Sequence, residues 1–318
     1  MPLPRYEIFE GADIDKISDE KLAKIVFKAK IFARVSPENK LRIISALKQN
    51  GEVAAMTGDG VNDAPALKMS DIGIALGSGT EVAKEAADIV LLDDNFKVIV
   101  DAIEEGRNIF ENIRKVLVYL IADDSSELLL FFAALFLRMP LPLLPAQILW
   151  INVVEDGFPN VALSMEKKER ELMAENPRNP NEAILNRGIK KWSAVVAGAS
   201  FLAALAVFML FWKMTGDIVK TRTAVFALMS LDSLIFAYSV RSFRKSLLRK
   251  DIFDSRFLNG SVIFGLIVLA AAIYIPFMQR FIQTAALGAL DWLAIVLLII
   301  IEMVVIEKFK IKLLSIKY

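Results

Sequence analysis

Neither cysteine nor histidine occurs in the 318 residues. Their absence excludes disulfides, thiol nucleophiles, Cys-rich zinc sites and imidazole base catalysis, so any chemistry must run on carboxylates, lysines, hydroxyls and backbone groups. A surplus of charge is missing as well. The net charge of +1 argues against a nucleic-acid partner, which a basic excess would announce. No secretory leader is expected, because Met1-Pro2-Leu3-Pro4 runs straight into a polar segment. Apolar residues, by contrast, make up 55% of the chain beside 24% charged ones. The two proportions are compatible only if the chain is divided.

The division falls near Lys115. Before it, charged residues are interspersed with short apolar runs; after it come six apolar stretches of about 20 residues, the length that crosses a bilayer. They lie at about 116–138, 142–165, 191–213, 222–240, 260–280 and 289–306. Loops 166–191 and 241–259, with the C-terminal tail, carry seventeen Lys and Arg, including Lys167, Arg187, Arg249, Lys250, Lys308 and Lys317. The three intervening connections carry five. This asymmetry predicts a multi-pass protein of the cell membrane with both termini cytoplasmic.

Residues 1–114 alternate between strand-like and helix-like patterns. Apolar runs at Tyr6–Phe9, Ile31–Ala33, Val53–Met56, Ile72–Leu76 and Ile89–Leu92 suit buried parallel strands. Helix starts are expected at Ser18-Asp19-Glu20, Pro37-Glu38 and Thr80-Glu81. The pattern is a doubly wound α/β one, in which ligands gather at the carboxyl ends of strands. Directly after the third run stands Met56-Thr57-Gly58-Asp59-Gly60-Val61-Asn62-Asp63-Ala64-Pro65-Ala66-Leu67. Its glycines let backbone approach a ligand, and its carboxylates suit Mg²⁺ bridging to phosphate oxygens.

Those twelve residues resemble the hinge motif of the P-type ATPases, and Ala33-Arg34-Val35-Ser36-Pro37-Glu38-Asn39-Lys40 resembles another segment of that family's haloacid-dehalogenase-like phosphorylation domain. The resemblance implies that Lys40 holds phosphate oxygens, that Asp59 and Asp63 bind Mg²⁺, that Asn62 supports the metal and the closed loop, and that Thr57, Gly58 and Gly60 bind the cofactor. Taken singly, such a Lys is usually solvated and such an Asp is usually a turn residue. The contiguous string is what carries the assignment. A helical period from Asn95 to Arg114, with Val98, Ile99, Ala102, Ile103, Ile109 and Ile113, runs without Pro into the first span. One continuous helix is expected, either transmitting conformational change or serving as a rigid spacer.

Charge inside a span is costly unless paired or facing a cavity, so it marks function. The first span contains Asp123, Asp124 and Glu127, and the second contains Asn152, Glu155 and Asp156. Spacings of three and four stack these groups on facing helices, where they need cations or protons to persist. Gly157 and Pro159 are expected to loosen the second helix and free carbonyls as ligands. Asp232 is a further candidate, while Glu302 is read as sitting near a helix end, where it can snorkel. The pair of spans resembles the fifth and sixth transmembrane helices of P2-type calcium pumps, which implies Asp124, Glu127, Asn152, Glu155 and Asp156 as ion ligands. Asp124 and Glu155 replace neutral residues of that pattern, so Ca²⁺ is favoured with protons, Na⁺ and Mn²⁺ left open. A plainer role, in which the acids only knit helices together, uses the same residues.

The organisation expected is a partial phosphorylation domain at 1–94, a stalk helix at 95–114, a six-helix transmembrane domain at 115–309 and a tail at 310–318. The Asp-Lys-Thr-Gly-Thr phosphorylation loop of the family does not occur in these residues. The resemblance therefore implies the C-terminal portion of an ATP-driven cation pump, with Mg²⁺ as cofactor and ATP bound by a portion outside this sequence. Its partners would be the lipid bilayer, the transported cation and an N-terminal pump half. A six-helix cation channel or carrier with a regulatory domain, or an inactive remnant, are the alternatives.

Overall fold

A computed structural model describes residues 8–179, 181–247 and 252–314. Tyr6 of the first expected strand, Arg249 and Lys250 of the basic loops and Lys317 of the tail lie outside them. The chain forms two compact units that meet between Ile103 and Glu104.

The first unit alternates short strands and helices: β1 (Ile8–Glu10), α1 (Gly11–Ile14), α2 (Asp19–Ile25), β2 (Ile31–Ala33), α3 (Pro37–Gln49), β3 (Ala55–Gly58), α4 (Ala64–Met69), β4 (Ile72–Ala75), α5 (Glu81–Ala86) and β5 (Ile89–Val90). Side-chain caps start three of the helices as their sequences lead one to expect. Ser18, Ser36 and Thr80 each accept a backbone N–H three residues on, satisfying a donor that the first turn would leave unpaired. Among the described residues all strand pairs are parallel, in two sheets ordered β1-β2 and β3-β4-β5. Helix α3 joins them: Leu47 packs against both the cluster of Ile14, Leu22, Val26 and Ala46 and that of Ile44, Ala54 and Ala66. Parallel strands are usually covered on both faces, yet Ile8, Ile31, Ile72 and Ile89 are exposed.

Strand β3 starts two residues later than its apolar run. Val53 is exposed, while the Ala54 N–H is taken by the Asp71 carboxylate at 2.9 Å, so ladder pairing begins at Ala55 and extends through Gly58.

Helix α6 (Lys97–Phe136) is unbroken for 40 residues, about 60 Å of axis. There follow α7 (Pro145–Trp150), a π-helical turn (Ile151–Glu155), α8 (Gly157–Ser164), α9 (Arg187–Thr215), α10 (Ile218–Val240), α11 (Arg256–Tyr274), α12 (Pro276–Ile282) and α13 (Ala289–Leu313). Gly216, at φ +65°, ends α9 in the left-handed conformation that glycine adopts without penalty, and Asp217 caps α10 immediately after it. Most of α10 is buried, against α9, α11 and α13.

Among the described residues four helices, α9, α10, α11 and α13, are long and apolar enough to cross a membrane. The first expected span lies within α6. The second is three pieces rather than one helix, α7, the π turn and α8. The fifth stops at Tyr274, before Pro276, which has no N–H for the helical ladder.

Candidate functional site

In the first unit the site grows from the end of β3. The strand delivers Asp59 to its carboxyl end with the side chain exposed, and the Asp59 carbonyl accepts the Thr80 N–H at 2.8 Å. The chain then turns into a short 3₁₀ segment, Val61–Asp63. This turn needs glycine at 58: a Cβ there would lie 2.5 Å from the Asp63 Cβ. Asp63 is 8% exposed. Its Oδ1 accepts Lys40 Nζ at 2.5 Å and its Oδ2 accepts the Gly60 N–H at 3.4 Å. Burial alone would raise the Asp63 carboxyl, but the Lys40 ammonium outweighs it and holds the group below its ordinary value.

Lys40 and Asp63 are thus brought together from α3 and the 3₁₀ turn. Asn62 and Asp59 stand exposed at the same loop, with Thr57 and Gly60 partly covered. The loop fits Mg²⁺ by donor chemistry, since Asp59 offers a carboxylate not taken up by another side chain's ion pair among the described residues.

In the second unit the acids gather around the π turn. Its wide ring carries the Asp156 N–H to the Ile151 carbonyl at 2.9 Å, five residues back, and leaves Glu155 and Asp156 both fully buried. Asp156 Oδ1 accepts from Tyr119 Oη of α6 at 2.9 Å and from Ser233 Oγ of α10 at 2.5 Å. Asp123 lies against Asp156. Asn152 Nδ2 donates to Glu127 Oε2 at 3.1 Å. Ser230 and Trp150 lie beside Glu155, yet neither oxygen of that carboxylate has a donor in hydrogen-bonding geometry. One oxygen each of Asp123 and Glu127 is likewise buried without a partner.

Further round α10, Ser200 Oγ of α9 donates to Asp232 Oδ2 at 2.6 Å. Glu302 of α13 lies beside Asp232 and Ser200, yet neither of its oxygens has a donor in hydrogen-bonding geometry. It is 4% exposed and eleven residues from the end of its helix, so it does not snorkel.

The buried stripe of α6 runs through Tyr119, Asp123 and Glu127, and Asp124 falls on the exposed side. Asp123, Tyr119, Ser233 and Glu302 were not among the candidate ligands. Spacing from Glu127 suits Asp123 at four residues and Asp124 at three alike, and Tyr119 continues the first of those rows by another four.

Five cations of this unit are committed elsewhere. Arg114, Lys115, Arg241, Arg244 and Lys310 pair with Glu111, Glu166, Glu169, Glu175 and Glu307. Arg244 Nε, 2.6 Å from Glu175 Oε1, holds that carboxyl below its ordinary value. Among the described residues no three acids are drawn together closely enough to form a finished metal cage. The arrangement is a buried, acid-rich ring with vacant acceptors, which can take up positive charge.

Residues 140–311 match the family model described as cation transporting ATPase, C-terminus, and residues 2–71 match that of haloacid dehalogenase-like hydrolase. The chain is similar to a calcium-transporting ATPase of Bacillus subtilis, with 41% identity over 91% of this chain and 33% of the relative. Calcium-transporting ATPase 1 of Saccharomyces cerevisiae is 38% identical over 93% of this chain and 31% of the relative. Calcium-transporting ATPase type 2C member 2 of Homo sapiens is 37% identical over 91% and 31%. The chain spans about a third of the length of the curated relatives it matches.

Proposed function

Because the chain belongs to the P-type cation-transporting ATPases, a membrane-bound family, we propose that it contributes two parts to an ATP-driven cation pump. One is the metal and phosphate side of a phosphorylation site. The other is half of an intramembrane cation site, with Ca²⁺ the favoured cargo. The phosphorylated Asp, the ATP-binding domain and the partner half of the pump would come from outside these residues.

In the first part Asp59 and Asp63 would hold Mg²⁺, the cation that family membership implies, with Asn62, Thr57, Gly58 and Gly60 shaping the loop. Bound Mg²⁺ would offset charge on a transferring phosphoryl group. Lys40 would add a second positive clamp, and its bond to Asp63 supports this reading by keeping that carboxylate ionised and oriented until a phosphate competes for the ammonium.

The observation that carries the second part is the set of buried carboxylate oxygens without donors at Asp123, Glu127 and Glu155, beside Asp156 and around a π turn. Leaving a buried carboxylate unsatisfied costs several kcal/mol, a cost that an incoming cation removes. Glu127, Asn152, Glu155 and Asp156 are the proposed ligands, with Asp124 and Asp232 as outer members, in a protein that crosses the membrane six times with both termini cytoplasmic.

The test is equilibrium binding of radioactive Ca²⁺ to the purified chain in lipid nanodiscs. Saturable binding lost in both Glu127→Gln and Asp156→Asn is expected. Binding insensitive to both changes, or no saturable binding of Ca²⁺, Mn²⁺ or Na⁺, would overturn the reading.

A further inference from the structure

Three oxygens form a closed triangle on one side of Asp156. Tyr119 Oη and Ser233 Oγ each lie within hydrogen-bond distance of Asp156 Oδ1, at 2.9 and 2.5 Å, and 2.6 Å from one another. Two hydroxyls bring only two hydrogens to these three contacts. Whether both donate to Oδ1 directly or one relays through the other, both hydroxyl oxygens crowd Oδ1 and stand where a cation would have to approach it.

Both hydroxyls are held rigidly. Tyr119 is fully buried with its ring stacked on Phe236 at 5.9 Å, and Ser233 is fully buried within α10. Phe236 is in turn packed against Trp192 at 5.7 Å. Asp156 therefore cannot rotate to present both oxygens without breaking a buried polar triangle.

We propose that Tyr119 and Ser233 are positioning residues that restrict Asp156 to single-oxygen coordination and thereby set which cations the site accepts. The assignment rests on Asp156 being a ligand of the transported cation, as proposed above. Ca²⁺ takes six to eight oxygens and readily uses both oxygens of a carboxylate, whereas smaller divalent cations favour six in octahedral geometry. A one-oxygen Asp156 keeps the count low, so the site serves a six-coordinate ion such as Mn²⁺ alongside Ca²⁺. Freeing Oδ1 adds a ligand that favours the ion of higher coordination number, Ca²⁺.

The experiment compares Ca²⁺ and Mn²⁺ affinities of the full chain in nanodiscs for the wild type, Tyr119→Phe, Ser233→Ala, the double variant and Ser233→Thr. The ratio of Ca²⁺ to Mn²⁺ affinity should rise about tenfold in the double variant, equivalent to about 1.4 kcal/mol. It should rise less in each single variant and stay at the wild-type value in Ser233→Thr, which keeps the hydroxyl. A general loosening of the helices would weaken both ions alike, so an unchanged or falling ratio overturns the assignment even where affinities drop. A wild type that binds neither ion saturably overturns the cation site itself, and this assignment with it.

Discussion

The two acidic sites of the chain are neutralised in opposite ways. At the loop after β3, Asp63 has its counter-charge built in, with the Lys40 ammonium 2.5 Å away. Around the π turn, Asp123, Glu127 and Glu155 are buried to a similar or greater depth with oxygens that no donor reaches. A buried carboxylate is tolerated when something positive accompanies it. In the first site the protein supplies that charge, and in the second the supply must arrive from elsewhere. On the proposed function, the first loop has to stay ordered between turnovers to orient a phosphate, whereas the second site has to be incomplete until its cargo enters.

Giving the membrane ring a resident cation breaks this contrast most severely. Ser230→Lys places an ammonium beside Glu155, and Ca²⁺ binding by the chain in nanodiscs should fall by more than about 100-fold, about 2.7 kcal/mol. Retained affinity in a variant with an unaltered helical circular dichroism spectrum would mean that the ring's charge is not what binds the ion.

Removing the resident cation from the first site is the converse change. Lys40→Ala strands a buried carboxylate and should destabilise the first unit by about 1–3 kcal/mol, with Lys40→Ala/Asp63→Asn recovering most of it. Amide hydrogen exchange over α3 and β3 is the readout. The sign with pH follows from Asp63 being held below its ordinary value. The stabilisation is complete above the unfolded carboxyl pKa of about 4 and disappears as pH falls through the lower folded value. The difference between wild type and Lys40→Ala should therefore shrink in acid and hold at neutral pH.

The smallest effect is expected at Glu302. Glu302→Gln brings an amide donor to a place where Asp232 Oδ1 has none, so the helical unit should gain about 0.5–1.5 kcal/mol, seen as a raised thermal midpoint in nanodiscs. A loss of stability would show that Glu302 already has a partner that the amide cannot replace.

What the sequence made legible was mostly local. The starts of α2, α3 and α5 could be read because a serine or threonine cap acts within three residues of itself. The hinge string placed Asp59 at the end of a strand for the same reason. The start of β3 could not be read, because it depends on the Asp71 carboxylate reaching Ala54 across seventeen residues. Choosing between Asp123 and Asp124 requires the rotation of α6 against α10, which neighbours settle and spacing does not. Glu302 was misplaced because Lys308, Lys310 and Lys312 look like the end of a span. In fact Lys310 is buried, bonded to the Ser239 carbonyl at 2.5 Å and lying over the Trp192 ring, so the helix continues past it to Leu313.

The π turn also fixes the phase of everything that follows it. A regular α-helix advances about 100° per residue, and the one extra residue in the Ile151–Asp156 ring offsets α8 from α7 by about that angle. The alignment of Asp156 with Tyr119 and Ser233 is thus set by the backbone ladder as much as by the side chains. A deletion within Ile151–Glu155 that restored four-residue spacing would leave every carboxylate after it intact and point each in a new direction.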